Sequence, residues 1–274
     1  LEQDYGSFIR GALAKSKEKN TERDLKATKK VFSAQGGLNR LVDALGKNIG
    51  QDHITLNAKG ITIQPAESGW AVTYTAGDGN LQTLSCKKVI TTAGAYSLPD
   101  LLPFIKAADI KKISNLYYAP IIQVSVGIRN EKRTLRPSFG GLVPSCEKMP
   151  VLGILFPSDC FQGRTPEGCS LYSFFIGGVR NTEALNMTDK EITDLVKEMV
   201  YKMLGYDKAV QPEMIHISRH AKAIPQYEIS SGERFATIEK IQSEYPGLIL
   251  AGNIKGGIGM ADRIRQALQI AEKG

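Results

Sequence analysis

The sequence predicts a mixed α+β fold, and three of its stretches carry that prediction. Between residues 53 and 86 the runs HITLNA, GITIQPA, WAVTYTA and LQTLSC alternate apolar and polar positions. Gly60, Ser68-Gly69 and Gly77-Asp78-Gly79-Asn80 punctuate them, the pattern of an antiparallel meander. From residue 117 to 176 further strand-like runs follow, and behind them Thr188 with Glu191 three positions on announces a helix, because that pair can close a capping box. Residues 246–273, PGLILAGNIKGGIGMADRIRQALQIAEK, read as an apolar strand, a glycine-dense turn and a helix.

Taken in order, the chain opens on LEQDYGSFIRGALAKSKEK, where Leu1, Tyr5, Phe8 and Leu13 approximate a helical stripe; a start in mid-stripe reads as a fragment of a longer protein. A small turn at residues 33–37 leads to a helix carrying Leu38, Leu41, Val42 and Leu45 and closed by Gly46. After the meander, KKVITTAGA supplies a buried strand at residues 89–92. The two prolines of YSLPDLLP, residues 96–103, mark a change of structural unit. Residues 117–128, 140–143, 151–156 and 169–176 read as long strands of a second sheet, and the helix after Thr188 places Ile192, Leu195, Val196, Met199 and Met203 at helical spacing. One more strand is expected at 213–219, before a loop holding Pro225, Gln226 and Tyr227, and a helix over 234–245 returns the chain to its glycine-rich end. The organisation is thus 1–30, 31–100, 101–235 and 236–274. The meander with its buried strand and the terminal strand-turn-helix can belong to one domain interrupted by the second sheet and its helix, an arrangement that puts a ligand between domains.

Composition narrows the class. With 274 residues, 42% hydrophobic and 23% charged, the chain has the make-up of a soluble globular protein with a sizeable core. No apolar run approaches the roughly 20 residues of a bilayer span, and the start shows no signal-peptide core, so neither an integral membrane protein nor a secreted one is expected. Cys86, Cys146, Cys160 and Cys169 are widely spaced, which suits a reducing cytoplasm and suggests neither a zinc site nor a disulfide framework. His216 and His220 form an i, i+4 pair without the glutamate of HExxH, and no metal site is expected. The net charge of +7 is spread out apart from a mixed run at 15–30 that lacks interleaved aromatics, so no nucleic-acid partner is expected. That run reads first as a solvated helix face, with peripheral contact at an anionic membrane surface as the alternative.

The glycine-dense turn is where a ligand would sit. Gly252, Gly256, Gly257 and Gly259 permit positive φ and close backbone approach, and the helix that follows offers unpaired N–H groups and the positive end of its dipole to an electron-rich guest. The same glycines also suit a plain strand-to-helix turn. The GxGxxG fingerprint of a dinucleotide fold is absent, since neither Gly36-Gly37 nor Gly256-Gly257-Ile258-Gly259 has its spacing.

Seven short segments, in order, carry a resemblance. They are Glu2-x-x-Tyr5-Gly6-Ser7; Val31-Phe32-Ser33 with Gly36-Gly37-Leu38; Gly141-Leu142-Val143-Pro144-Ser145; Leu152-Gly153-Ile154-Leu155-Phe156-Pro157-Ser158; Ile176-Gly177-Gly178; Ala223-Ile224-Pro225-Gln226-Tyr227; and Ala251-Gly252-Asn253 with Gly256-Gly257-Ile258. Together they resemble the oxygen-dependent protoporphyrinogen oxidases, FAD enzymes of the amine-oxidase superfamily. The resemblance implies an FAD-dependent oxidoreductase fold, with a discontinuous FAD-binding domain and a substrate domain on a mixed β-sheet. Residues 1–30 would end a helical membrane-associated part, 31–100 and 236–274 would be FAD segments, and 101–235 the substrate domain. The N-terminal third, with its pyrophosphate loop and ribose-binding acid, would lie outside this sequence.

The activity so implied is oxidation of protoporphyrinogen IX to protoporphyrin IX in heme biosynthesis, with oxygen as acceptor. A coproporphyrinogen III oxidase is a close variant; a carotenoid desaturase or amine oxidase, and a non-enzymatic β-rich binding module, are the alternatives. An amine oxidase is disfavoured because no aromatic residue lies between Gly252 and Gly274. For the cofactor, the resemblance points to Ile61, to the strand Thr91, Thr92 and Ala93, and to Gly252, Asn253 and Gly257, with the helix opening at Gly259, Met260 and Ala261 aimed at the flavin N1/O2 edge. Leu142, Leu155 and Phe175 match positions that pack on a pyrrole ring. By composition alone Ile61 and the threonines could be ordinary strand residues and the last three simple core. No catalytic side chain is expected, because the cofactor carries the chemistry. Arg10 and Arg40 are weak candidates for a substrate propionate. The expected location is cytoplasmic, with peripheral contact at the inner face of the cell membrane and homodimerisation left open.

Overall fold

The computed structural model describes residues 5–17, 31–129 and 136–272. Leu1, Glu2 and most of the 15–30 charge run lie outside the described residues. Helix α1 (Phe8–Lys17) covers part of the leading stripe, with Ile9 and Leu13 in solvent. Helix α2 (Asn39–Ile49) runs through Gly46 instead of closing there. Gly46 stays helical and its carbonyl accepts the Gly50 N–H at 3.1 Å; the helix ends at Gly50, where φ reaches 93°.

The meander has three strands, β1 (Lys59–Ala66), β2 (Gly69–Thr75) and β3 (Leu81–Cys86), paired antiparallel in chain order. HITLNA, expected to be a strand, is not one: residues 51–53 form a short 3-10 turn and Asn57 sits at a left-handed φ of 59°, which breaks an extended run. Strand β4 (Val89–Thr91) is followed by the short helix α3 (Leu98–Leu101) and by α4 (Ala107–Ser114).

The second sheet comprises β5 (Tyr118–Arg129), β6 (Gly140–Leu142), β7 (Gly153–Leu155), β8 (Cys169–Gly177) and β9 (Met214–Pro225), in the order β6-β7-β8-β5-β9. Every pairing in it is antiparallel, so the parallel component of the fold lies outside this sheet. Strands β6 and β7 are three residues each, shorter than expected, because the chain leaves β6 at Pro144 for a 3-10 turn. Helix α5 (Pro157–Cys160) precedes β8, and α6 (Asp189–Leu204) follows it. The expected capping box opens α6: the Thr188 hydroxyl accepts the Glu191 N–H at 3.2 Å and Glu191 accepts the Thr188 N–H at 2.7 Å. The chain ends with α7 (Ser231–Glu244), β10 (Leu248–Leu250), which pairs in parallel with β4, and α8 (Met260–Glu272).

Two cores result. In the first, Ile122, Val124, Val126 and Ile128 of β5 with Tyr172, Phe174 and Ile176 of β8 form one sheet face, against which α6 packs Ile192, Val196, Met199 and Val200. Alternation leaves Ile121, Gln123 and Phe175 on the opposite face. The second core joins distant pieces: Ile63 and Trp70 of the meander, Leu98, Leu102, Ile110, Ile113 and Tyr118, and Ile238, Leu248, Leu250 and Ile254 from the end of the chain. Among the described residues no helix is long and apolar enough to cross a membrane.

Candidate functional site

Two neighbouring features build the site. The first is the turn after β10. The β4–β10 register (Leu248 with Val89, Leu250 with Thr91) continues into an Ala251 N–H bond to the Thr91 carbonyl at 2.8 Å, so both strands end side by side. The crevice beyond the carboxyl ends of parallel strands is where such sheets take ligands. Gly252, at φ 90°, makes the approach: a Cβ there would stand 2.9 Å from the Thr92 carbonyl oxygen, so no side chain fits.

Side chains from four parts of the chain then fix the turn. Gln266 of α8 accepts the Gly252 N–H at 2.8 Å and an Arg263 N–H at 2.9 Å, while Arg263 Nη2 donates to the Lys255 and Gly257 carbonyls at 2.9 Å each. The Tyr227 hydroxyl lies 2.9 Å from the Asn253 carbonyl and 3.1 Å from that of Gly257. The Tyr118 hydroxyl donates to Asn253 Oδ1 at 3.2 Å and accepts the Ala95 N–H at 3.0 Å; burial pushes its pKa up, keeping the proton it donates. Arg234, only 3% exposed, packs its guanidinium 5.1 Å from the Tyr227 and Phe235 ring centres and donates to the Ile254 carbonyl at 3.1 Å. Burial lowers its pKa, and the aromatic faces offset part of the cost of burying the cation.

A cavity of about 670 Å³ opens beside this turn, lined by Thr92, Gly252 and Asn253 together with Ile90, Ile258 and Arg263 among others. Of the cofactor candidates these three are brought together on its wall. Thr91 is buried beneath it, its hydroxyl accepting the Ala93 N–H at 3.3 Å, while Ile61 stands on the meander strand β1, half exposed, and lines no part of it. At the helix opening the expectation needs correction. The Gly259 N–H donates to Asp262 Oδ2 at 3.1 Å, so that amide is capped from within α8, and Met260 and Ala261 lie exposed off the cavity. Gly257, at φ 100°, faces the Asp262 side chain, with which any Cβ would collide.

The second feature is a cavity of about 810 Å³ on the outer face of the five-stranded sheet, within the roughly 300–1,000 Å³ range of small-molecule sites. Leu142, Leu155 and Phe175 all lie on its wall. They are not core: Leu142 is 90% exposed and Leu155 37%. Register brings them together: Leu142 pairs with Gly153, Gly153 with Phe175 and Phe175 with Gln123 in one row across four strands, and Leu155 stands two residues along β7 from Gly153, on the same face. Gly153 lets the two strands approach closely: a Cβ there would stand 2.6 Å from the Gly141 carbonyl oxygen and 3.3 Å from Leu142 Cδ2, so Leu142 packs directly over it. Arg10 on α1 and Arg40 on α2 are exposed and line neither cavity.

Tyr118, Arg234, Asp262 and Gln266 were not singled out in the sequence. Asp262, three positions after Gly259, has the spacing of a helix-start acceptor; an arginine on an apolar helix face gives no comparable signal.

Comparison with known proteins agrees with this architecture. The model of a family described as flavin containing amine oxidoreductase matches residues 4–272. The chloroplastic protoporphyrinogen oxidase of Nicotiana tabacum is 28% identical over 291 residues, covering 100% of this chain and 53% of that protein. The coproporphyrinogen III oxidase of Bacillus subtilis (strain 168) is 23% identical, covering 97% and 55%. The chain therefore spans about half the length of these relatives. Among solved structures, a protein of Exiguobacterium sp. 255-15 provisionally named protoporphyrinogen oxidase superimposes with a TM-score of 0.76 at 19% identity, covering 99% of this chain and 56% of that one. The cyclohexylamine oxidase of Brevibacterium oxydans IH-35A superimposes with a TM-score of 0.64 at 16% identity, covering 86% and 53%.

Proposed function

The chain belongs to the flavin containing amine oxidoreductase family, and from that premise we propose that it acts as an FAD-dependent porphyrinogen oxidase, converting protoporphyrinogen IX to protoporphyrin IX with oxygen as acceptor. One observation carries the substrate reading: Leu142, Leu155 and Phe175, from three different strands, line one apolar cavity on the outer face of the sheet. Exposed apolar surface of this kind marks a binding site, and a flat macrocycle matches it.

The residues present at the turn fit FAD. Arg263 Nε, on the wall of the cavity beside the turn, is buried with no partner among the described residues, and Gly252 and Asn253 line the same wall. Thr92, Gly252 and Asn253 would hold the cofactor, which when bound supplies the oxidation chemistry. The chain's own part is positional. Tyr227, Tyr118 and Arg234 keep the turn in one conformation, and the apolar wall orients the macrocycle and excludes water from it.

The test measures flavin absorbance of the FAD-loaded protein and follows porphyrin fluorescence as protoporphyrinogen or coproporphyrinogen is oxidised. Porphyrin formed from protoporphyrinogen supports the reading, formation only from coproporphyrinogen moves it to the variant seen in the Bacillus relative, and no flavin retention ends it. We also propose a cytoplasmic protein in peripheral contact with the membrane through α1, whose exposed Ile9 and Leu13 suit an interface. Failure to co-float with anionic vesicles would refute that contact.

A further inference from the structure

Among the described residues, the cavity on the outer sheet face has a single ionisable group on its wall. Among its described lining residues His220 alone can carry charge, and no carboxylate lines it. His220 stands opposite Ile121 in the β5–β9 ladder, and just beyond it the ladder breaks: Ala119 pairs with Ile224. Pro120 is the reason. It has no N–H to give β9, and its carbonyl accepts the Gly178 N–H at 2.8 Å. Residues 221–223 therefore bulge out of register, and bulges re-aim side chains beside binding sites. Here the bulge carries Lys222, which lies between the lining residues His220 and Ala223 without itself lining the cavity, and whose ammonium is seated 3.8 Å over the centre of the Tyr96 ring. Tyr96 in turn meets Tyr118 edge-on at 5.3 Å, and Tyr118 is bonded to Asn253 of the glycine turn. A ring face holds a cation without neutralising it, so Lys222 keeps N–H donors for an anion.

We infer that His220 and Lys222 form a carboxylate-binding rim for this cavity. The site takes a flat amphipathic ligand with its ring on Leu142, Leu155 and Phe175 and an acidic side chain on the β9 bulge. This rests on the porphyrinogen reading and adds to it the residues that recognise the substrate's acidic groups. The cavity without the rim is uncharged and selects only for apolar surface; with it, ring and acid must both be present. Because Lys222 is linked through Tyr96 and Tyr118 to Asn253, the rim also fixes where the ring lies relative to the cofactor turn.

The test titrates the FAD-loaded protein with protoporphyrin IX and with its dimethyl ester, following porphyrin fluorescence, in wild type, His220→Ala, Lys222→Met and the double variant. Wild type is expected to prefer the diacid by about tenfold, each single variant by about threefold, and the double variant not at all, in line with exposed to half-buried ion pairs. Ester affinity should stay unchanged in Lys222→Met and fall by no more than about twofold where His220, itself on the wall, is replaced, which shows that the apolar wall remains folded. A double variant that keeps the wild-type preference overturns the rim while leaving the tetrapyrrole reading intact. If wild type binds neither porphyrin, the cavity is not a tetrapyrrole site and both fall together.

Discussion

One hydroxyl, that of Tyr227, reaches two carbonyls of the glycine turn, and its removal isolates what that bond does. Tyr227→Phe keeps the ring against Arg234 and deletes only the donor, so it should cost about 1 kcal/mol in stability. Denaturation midpoints and flavin content measured together check this; the account expects both to fall. Gly257 makes a second residue-scale prediction. The position a Cβ would take on it is filled by Asp262, so Gly257→Ala should destabilise the protein whether or not flavin is present, and adding Asp262→Gly should restore only part of the midpoint, because φ 100° remains strained for alanine. Equal midpoints for the single and double variants would show that Asp262 is not the obstacle. The glycines of this turn were legible in the sequence because their clustering has no other purpose than backbone freedom. That Asp262 occupies the space above Gly257 was not, since it depends on the phase at which α8 starts.

Helix α6 is the element most completely written in the sequence, because a capping box is a local device whose two partners lie three residues apart. Thr188→Ala should lower stability by about 1 kcal/mol. The pH dependence has a definite sign. Bonds from the Thr188 backbone N–H, and then from its hydroxyl, hold the Glu191 carboxyl below its ordinary value of 4.5. A carboxylate depressed in the folded state stabilises the protein fully above its unfolded pKa, and that contribution is lost as pH falls through the lower folded value. Midpoints measured from pH 6 downward should therefore fall less steeply in Thr188→Ala than in wild type below about pH 4.5. Where elements were misread, the deciding interactions were not local. HITLNA alternates like a strand but pairs with no strand of the meander and holds Asn57 at positive φ, and α2 passes through Gly46 because a glycine stops a helix only where its φ turns positive.

At the scale of the molecule there are two cores and two sites, and the strands that end at the glycine turn, β4 and β10, come from distant parts of the chain. Composition alone would place Leu142, Leu155 and Phe175 in a core, and only the resemblance assigned them to a substrate. The reason is physical: a sheet has two apolar faces, and α6 covers one of them here through contacts far apart in sequence. Leu142, on the edge strand β6, was left in the open. The most direct measurement of the central claim is kcat/KM for protoporphyrinogen IX in wild type and in Leu142→Asp, with flavin absorbance recorded on the same samples. A buried-on-binding carboxylate facing an apolar ring should cost at least about tenfold to a hundredfold. The account predicts that loss at unchanged flavin content and unchanged stability, because the leucine is exposed in the fold. Wild-type protein that holds flavin yet forms no porphyrin, or a Leu142→Asp variant as active as wild type, would contradict it.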